Sequence, residues 1–157
     1  KVLLLGLMFI GGMAGSTGGG IKVVRLVALL KTVRNELKKL IFPKAIFKVR
    51  MSKSAMTEQS LESVQTFFIL YITVFGIGSV LLGLTSYFGG IHLSIETILS
   101  SVASALNNIG PALDQAGPFD TYNFYDKYSK ILLAFIMLVG RLEMFPIVIL
   151  LNKKTWK

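Results

Sequence analysis

The longest uncharged stretch of the chain runs over 63–95, and within it TFFILYITVFGIGSVLLGLTSYF, 66–88, is almost wholly apolar. That exceeds the roughly 20 residues that cross a bilayer core. A helix apolar on every face needs lipid or a large protein to cover it, so a membrane-spanning helix is expected here. Tyr71 lies too deep for an interfacial anchor and is expected to pack on a neighbour. Tyr87 and Phe88 suit the far interface. A second run, ILLAFIMLVGRLEMFPIVILL over 131–151, has spanning length but carries Arg141 and Glu143. Between the two, Ile95, Ile98, Leu99, Val102 and Leu106 repeat at helical spacing for about a dozen residues, too few to cross. Ser94 stands where it can cap that short helix. NNIGP then stops it, since Gly110 admits backbone angles other residues resist and Pro111 forbids a helical return. Spanning helix, re-entrant short helix with an irregular turn, and second spanning helix form one unit over 63–152. Irregular backbone at membrane depth survives only where protein encloses it or it lines water.

The N-terminal part breaks the same pattern. KVLLLGLMFI reads as the end of an earlier inner helix, and IKVVRLVALLKTVRNELKKLIF continues beyond a glycine-rich stretch over 11–20. A phosphate-binding loop is the first alternative, because helix N-termini favour anions. The G-x-x-x-x-G-K-S/T pattern fails: Gly15 and Gly20 have the spacing, but Ile21 replaces the lysine and Val23 the magnesium-binding hydroxyl. The dinucleotide pattern fails at Val23 too, and the residues ahead of the loop do not read as a buried strand. The remaining reading is a broken membrane helix whose freed backbone groups face a pathway. The chain opens at Lys1 directly into an apolar run, and is expected to be a fragment of something longer. The organisation is then 1–42 as the broken inner helix, 43–62 as a basic linker, 63–152 as the three-helix unit and 153–157 as a tail.

Charge gives this layout an orientation. The net charge is +9, with 53% hydrophobic and only 16% charged residues, against about 25% charged in ordinary soluble domains. Ten Lys/Arg and one acid, Glu36, lie between Lys22 and Lys53, and Lys153, Lys154 and Lys157 follow the last apolar run. Basic loops stay in the cytoplasm, so 31–58 and the C-terminus are placed inside and 89–127 outside. This accounts for the positive charge without nucleic acid, because the basic residues flank membrane segments and lack base-reading company. Phe42 and Trp156 mark the cytoplasmic interface.

The candidate chemistry is not enzymatic. The chain has one histidine, His92, and no cysteine, so neither a thiolate metal site nor a disulfide framework is available. His92 has no second histidine for a metal site and is assigned to the interface. Asp114 and Asp120 belong to the outer mouth, where they raise local cation concentration or solvate the loop. Arg141 lies about 15 Å into its helix, near the midplane. An intramembrane arginine marks a water-filled pathway or a structural ion pair. Glu143 is two residues away, on nearly the opposite face, so the two do not pair. Helix, half-helix and uncharged turn is the layout in which backbone carbonyls replace an ion's water shell.

GGMAGSTGGGIKVVR, SALNNIGPAL and LVGRLEMFPIVIL, in this order and spacing, closely resemble the C-terminal portion of the Trk/Ktr/HKT superfamily of potassium transporters, in its TrkH/KtrB branch. The resemblance covers nearly the whole chain. It implies an all-α membrane protein in which an outer helix–re-entrant pore helix–inner helix unit, the last of four repeats, follows the broken inner helix of the preceding repeat. It implies a fourth quarter of a potassium filter at Asn107, Asn108, Ile109 and Gly110. An intramembrane gating loop would include Gly12, Gly15, Ser16, Thr17, Gly18, Gly19 and Gly20, and Arg141 would be a barrier near the pore axis. It further implies a homodimer in the cell inner membrane on a cytosolic nucleotide-binding ring of TrkA/KtrA type. The nucleotide then belongs to that partner, this chain holds no cofactor, and potassium is substrate. A secondary transporter of another fold, using the broken helix as its substrate site, is the alternative.

Overall fold

A computed structural model describes residues 2–12, 19–41, 50–51, 54–55 and 57–142. The fold is helical: α1 (Val2–Met8), α2 (Val23–Ile41), α3 (Glu58–Phe88), α4 (Ile95–Asn107) and α5 (Lys127–Arg141). Two 3-10 turns, Asp114–Ala116 and Tyr122–Phe124, punctuate the connection from α4 to α5. In the linker, Arg50–Met51 and Ser54–Ala55 make a two-residue antiparallel pair, too short to alter the helical character.

The long apolar run becomes α3, about 46 Å long at 1.5 Å per residue. Among the described residues Gln59–Phe88 is long and apolar enough to cross a membrane. The helix starts at Glu58, ahead of the apolar stretch, because the Thr57 hydroxyl accepts the Ser60 amide at 3.4 Å and caps it. One side of α3 is buried at Phe67, Tyr71 and Leu82, while Ile69, Ile72, Ile77, Val80 and Leu84 face outward. An outward face of that composition suits lipid. Tyr87 and Phe88 stand exposed at its far end with their rings edge to face, centroids 6.0 Å apart.

The short helix α4 is the centre of the fold and packs against both α3 and α5. Its Val102, Ala103 and Leu106 are fully buried, and Leu133, Ile136 and Val139 of α5 and Leu82 of α3 close around them. Between α3 and α5 the Thr85 and Ser129 hydroxyls meet at 2.9 Å. Interhelical hydroxyl contacts of this kind are worth on the order of 0.6 kcal/mol in a membrane. The earlier segment joins the same core: Phe9 lies edge-on to Phe75, 4.9 Å between centroids. On α2, the Arg25 guanidinium sits 4.1 Å from the Phe67 ring centroid.

The break between α1 and α2 has a defined base. Ile10 and Ile21 form a parallel bridge; Gly11 N–H donates to the Ile21 carbonyl at 2.9 Å and Val23 N–H to the Gly12 carbonyl at 3.2 Å. Residues 10–12 and 21–23 therefore lie side by side where α1 ends and α2 begins. For α5, the description runs to Arg141, with Leu142 closing the helix. The expected continuation to 151 lies outside the described residues.

Candidate functional site

The site grows from the polar content of α4. Ser94 caps the helix by accepting the Thr97 amide at 3.1 Å, in line with its position in the sequence. The Asp114 carboxylate accepts from the Ser94 hydroxyl at 2.6 Å and from Thr97 Oγ1 at 2.9 Å, so it ties the loop to the helix start. Ser100, Ser101 and Ser104 are fully buried, and each has a partner. Ser100 Oγ accepts the Leu113 amide at 3.1 Å, Ser101 Oγ accepts the Tyr125 hydroxyl at 2.7 Å, and Ser104 Oγ donates to the Gly110 carbonyl at 3.0 Å. A buried polar group is stable only when paired in this way.

The helix ends in a Schellman motif. Asn108 adopts φ 55°, its amide donates to the Ala105 carbonyl at 3.2 Å, and the Ile109 amide reaches the Ser104 carbonyl at 3.0 Å. Past this turn the helical pattern of amide donors to the next carbonyls is broken. Continuing the helix would need amides at positions 111, 112 and 113 to reach Asn107, Asn108 and Ile109. Pro111 has no N–H. The Ala112 amide goes instead to the Ala116 carbonyl at 2.8 Å, and the Leu113 amide to Ser100 Oγ. Among the described residues nothing donates to the carbonyls of Asn107, Asn108 or Ile109. Gly110 differs: it turns at φ 105°, and its oxygen accepts both Ser104 Oγ and the Tyr122 hydroxyl, the latter at 2.9 Å. Burial pushes the phenols of Tyr122 and Tyr125 up, that of Tyr125 to about 12, so both remain protonated donors at physiological pH.

The Asn107 side chain is buried and bonded within the bundle. Its amide nitrogen donates to the Ala103 carbonyl at 2.8 Å, and the fully buried Tyr71 hydroxyl donates to its oxygen at 3.0 Å. The expectation that Tyr71 packs on a neighbour is met, and the neighbour is the site itself.

Two glycine contacts wedge the end of α4. A Cβ on Gly19 would meet the Leu106 carbonyl and the Asn108 side chain, each at 2.9 Å. A Cβ on Gly140 of α5 would overlap that same Leu106 oxygen. Gly20, at φ 84°, lies against the Asn107 carboxamide. The break between α1 and α2 is thus in van der Waals contact with residues 106–108. Of the candidate gating-loop residues, Gly12, Gly19 and Gly20 are described and lie at this junction. Gly15, Ser16, Thr17 and Gly18 fall outside the described residues, as do Glu143, Phe42, Trp156 and the basic tail. Arg141 follows Gly140 directly and is exposed at the end of α5. Sequence reasoning does not single out Tyr122, Ser104 or Gly140. Only the serine spacing over 100–104 hints at a polar face. Among the described residues no group of three or more His, Cys, Asp or Glu could hold a metal ion.

Comparison with known proteins gives a consistent result. The family described as TrkH, cation transport protein, matches residues 1–156. The Trk system potassium uptake protein TrkH of Escherichia coli K12 is 36% identical over 156 residues, covering 99% of this chain and 31% of that protein. TrkH of Vibrio parahaemolyticus is 41% identical over 157 residues, covering 99% and 30% respectively. The crystal structure of the potassium transporter TrkH from Vibrio parahaemolyticus superposes with a TM-score of 0.85 at 36% identity, covering 99% of this chain and 32% of that one. The chain spans a little under a third of the length of the curated relatives it matches.

Proposed function

The chain belongs to the TrkH family of cation transport proteins, and on that premise we propose that it forms one side of a potassium-conducting pore within a longer membrane subunit. The row of carbonyls at Asn107, Asn108 and Ile109, which accept no hydrogen bond from the described residues, carries the reading. A dehydrated monovalent cation is held by neutral backbone oxygens, weakly enough to leave again. The C-terminus of α4 points to the same place and contributes roughly half a negative charge. Gly110 completes this quarter of the filter by its turn, its own oxygen being engaged by hydroxyls.

In this reading the segment over 12–20 is the gate, since Gly19 and Gly20 touch the end of the pore helix. Arg141 is the electrostatic barrier below the filter, adjacent to the Gly140 contact. Basic side chains exposed on α2, among them Arg34, support a cytoplasmic 31–58 segment in the inner membrane topology. They also offer a surface to a cytosolic nucleotide-binding ring beneath a homodimer.

The test is potassium and sodium uptake by the intact transporter in cells lacking other potassium uptake. Gly110→Ala, which puts a Cβ on a residue at φ 105°, is expected to lower discrimination between the two ions by about tenfold or more, equivalent to roughly 1.4 kcal/mol. Wild-type discrimination in this variant overturns the filter assignment. Arg141→Ala is expected to raise the maximal uptake rate. Like charges about 4 Å apart repel by about 4 kcal/mol at an effective dielectric of about 20, and the repulsion weakens with distance, so removing this charge is expected to raise the rate severalfold. An unchanged or lower rate in a normally inserted protein removes Arg141 from the pathway.

A further inference from the structure

We infer that Tyr122 and Ser104 are positioning residues for ion selection, acting as a two-hydroxyl clamp on the Gly110 peptide. The inference rests on the filter reading above and adds the groups that hold the filter's shape. Both hydroxyls donate to the one carbonyl oxygen, Ser104 Oγ from inside α4 at 3.0 Å and Tyr122 Oη from the outer connection at 2.9 Å. Together they fill its two acceptor positions.

Side-chain packing around the Gly110 Cα contributes little here. Nothing lies within 4 Å of where a Gly110 Cβ would stand, and a cavity of about 350 Å³ opens beside it between α4 and α5. A glycine at positive φ without steric neighbours has wide backbone freedom, which Pro111 restricts on one side and the two hydrogen bonds restrict at the carbonyl itself. The clamp is in turn anchored. Tyr122 stacks on Tyr125, 5.7 Å between centroids at 22°, and the Tyr125 hydroxyl donates to Ser101 Oγ, one turn before Ser104. The same α4 face thus holds the outer connection at two levels. Only the φ and ψ of Gly110 separate its carbonyl from the Ile109–Gly110 peptide, whose oxygen accepts no donor among the described residues, so holding the Gly110 carbonyl restricts the angle between the two peptide planes. The clamp therefore acts on the ion through backbone geometry and not by contact.

The experiment measures potassium and sodium uptake by the intact transporter, with membrane abundance read in parallel. Tyr122→Phe with Ser104→Ala is expected to lower discrimination between the ions at least about fivefold, or roughly 1 kcal/mol, at normal abundance. Ser104→Thr, which keeps the hydroxyl, is expected to retain wild-type discrimination. A double variant that transports less but discriminates normally shows a merely structural role and overturns the clamp. Normal discrimination in the double variant, with discrimination lost in Gly110→Ala, overturns the clamp and leaves the filter standing. Normal discrimination in Gly110→Ala as well overturns both.

Discussion

Gly140→Val in the intact transporter is expected to abolish potassium uptake and to lower the amount of protein that reaches the membrane. The first side-chain atom at this position would overlap the Leu106 carbonyl oxygen, with the Leu106 carbonyl carbon at 2.8 Å and its Cα at 3.2 Å. All three obstacles are backbone, so no rotamer change relieves them. Overpacking a tight core costs about 1–3 kcal/mol when side chains can shift. Here a whole helix must move, and the helix that moves carries the carbonyl row. Gly76→Ala on α3 is the matched control. Nothing lies within 4 Å of its Cβ position, and alanine is the better helix former by about 1 kcal/mol. Uptake and abundance are expected to stay at wild-type levels. Normal uptake by Gly140→Val would show that α5 and the pore helix are not held at this approach.

Gly20→Ala is expected to reduce uptake more than about tenfold, through two additive faults. A non-glycine residue in the left-handed region costs roughly 1–2 kcal/mol, and its Cβ would strike the Asn107 carboxamide. That carboxamide has no freedom to yield, being bonded to both Tyr71 and Ala103. Asn107→Ala alone is expected to impair uptake as well, because the buried Tyr71 hydroxyl loses its acceptor at a cost of about 1–3 kcal/mol. Combined, the two changes are expected to be less damaging than the product of the singles, since the second removes the obstacle met by the first. Strictly multiplicative uptake rates would argue that the glycine break does not bear on Asn107.

Where function rests on a few adjacent residues, the sequence is readable. Ser94 as a cap, the glycine turn at Gly110, the stop at Pro111 and the uniform apolarity of α3 all follow from local chemistry. The diversion of the Ala112 and Leu113 amides is not readable, because their acceptors are fixed by how the loop folds back on α4. Tyr122 lies twelve positions beyond Gly110, and a surface tyrosine in a loop gives no signal that its hydroxyl will reach a particular carbonyl. Gly140 carries even less signal. In an apolar helix it reads as a tolerated small residue until a second backbone is seen passing over it. The start of α3 at Glu58 is hidden for a simpler reason: hydropathy marks where a helix enters lipid, and Thr57 marks where it begins.

The bridge between Ile10 and Ile21 has a consequence for how such chains can vary. The Gly11 amide on the Ile21 carbonyl and the Val23 amide on the Gly12 carbonyl fix where α1 stops and α2 resumes, tying the two helix ends together through backbone alone. Variation at this seam is constrained, because Gly19 and Gly20 lie against residues 106–108, so a change in chain length that shifted them would also displace the end of α4.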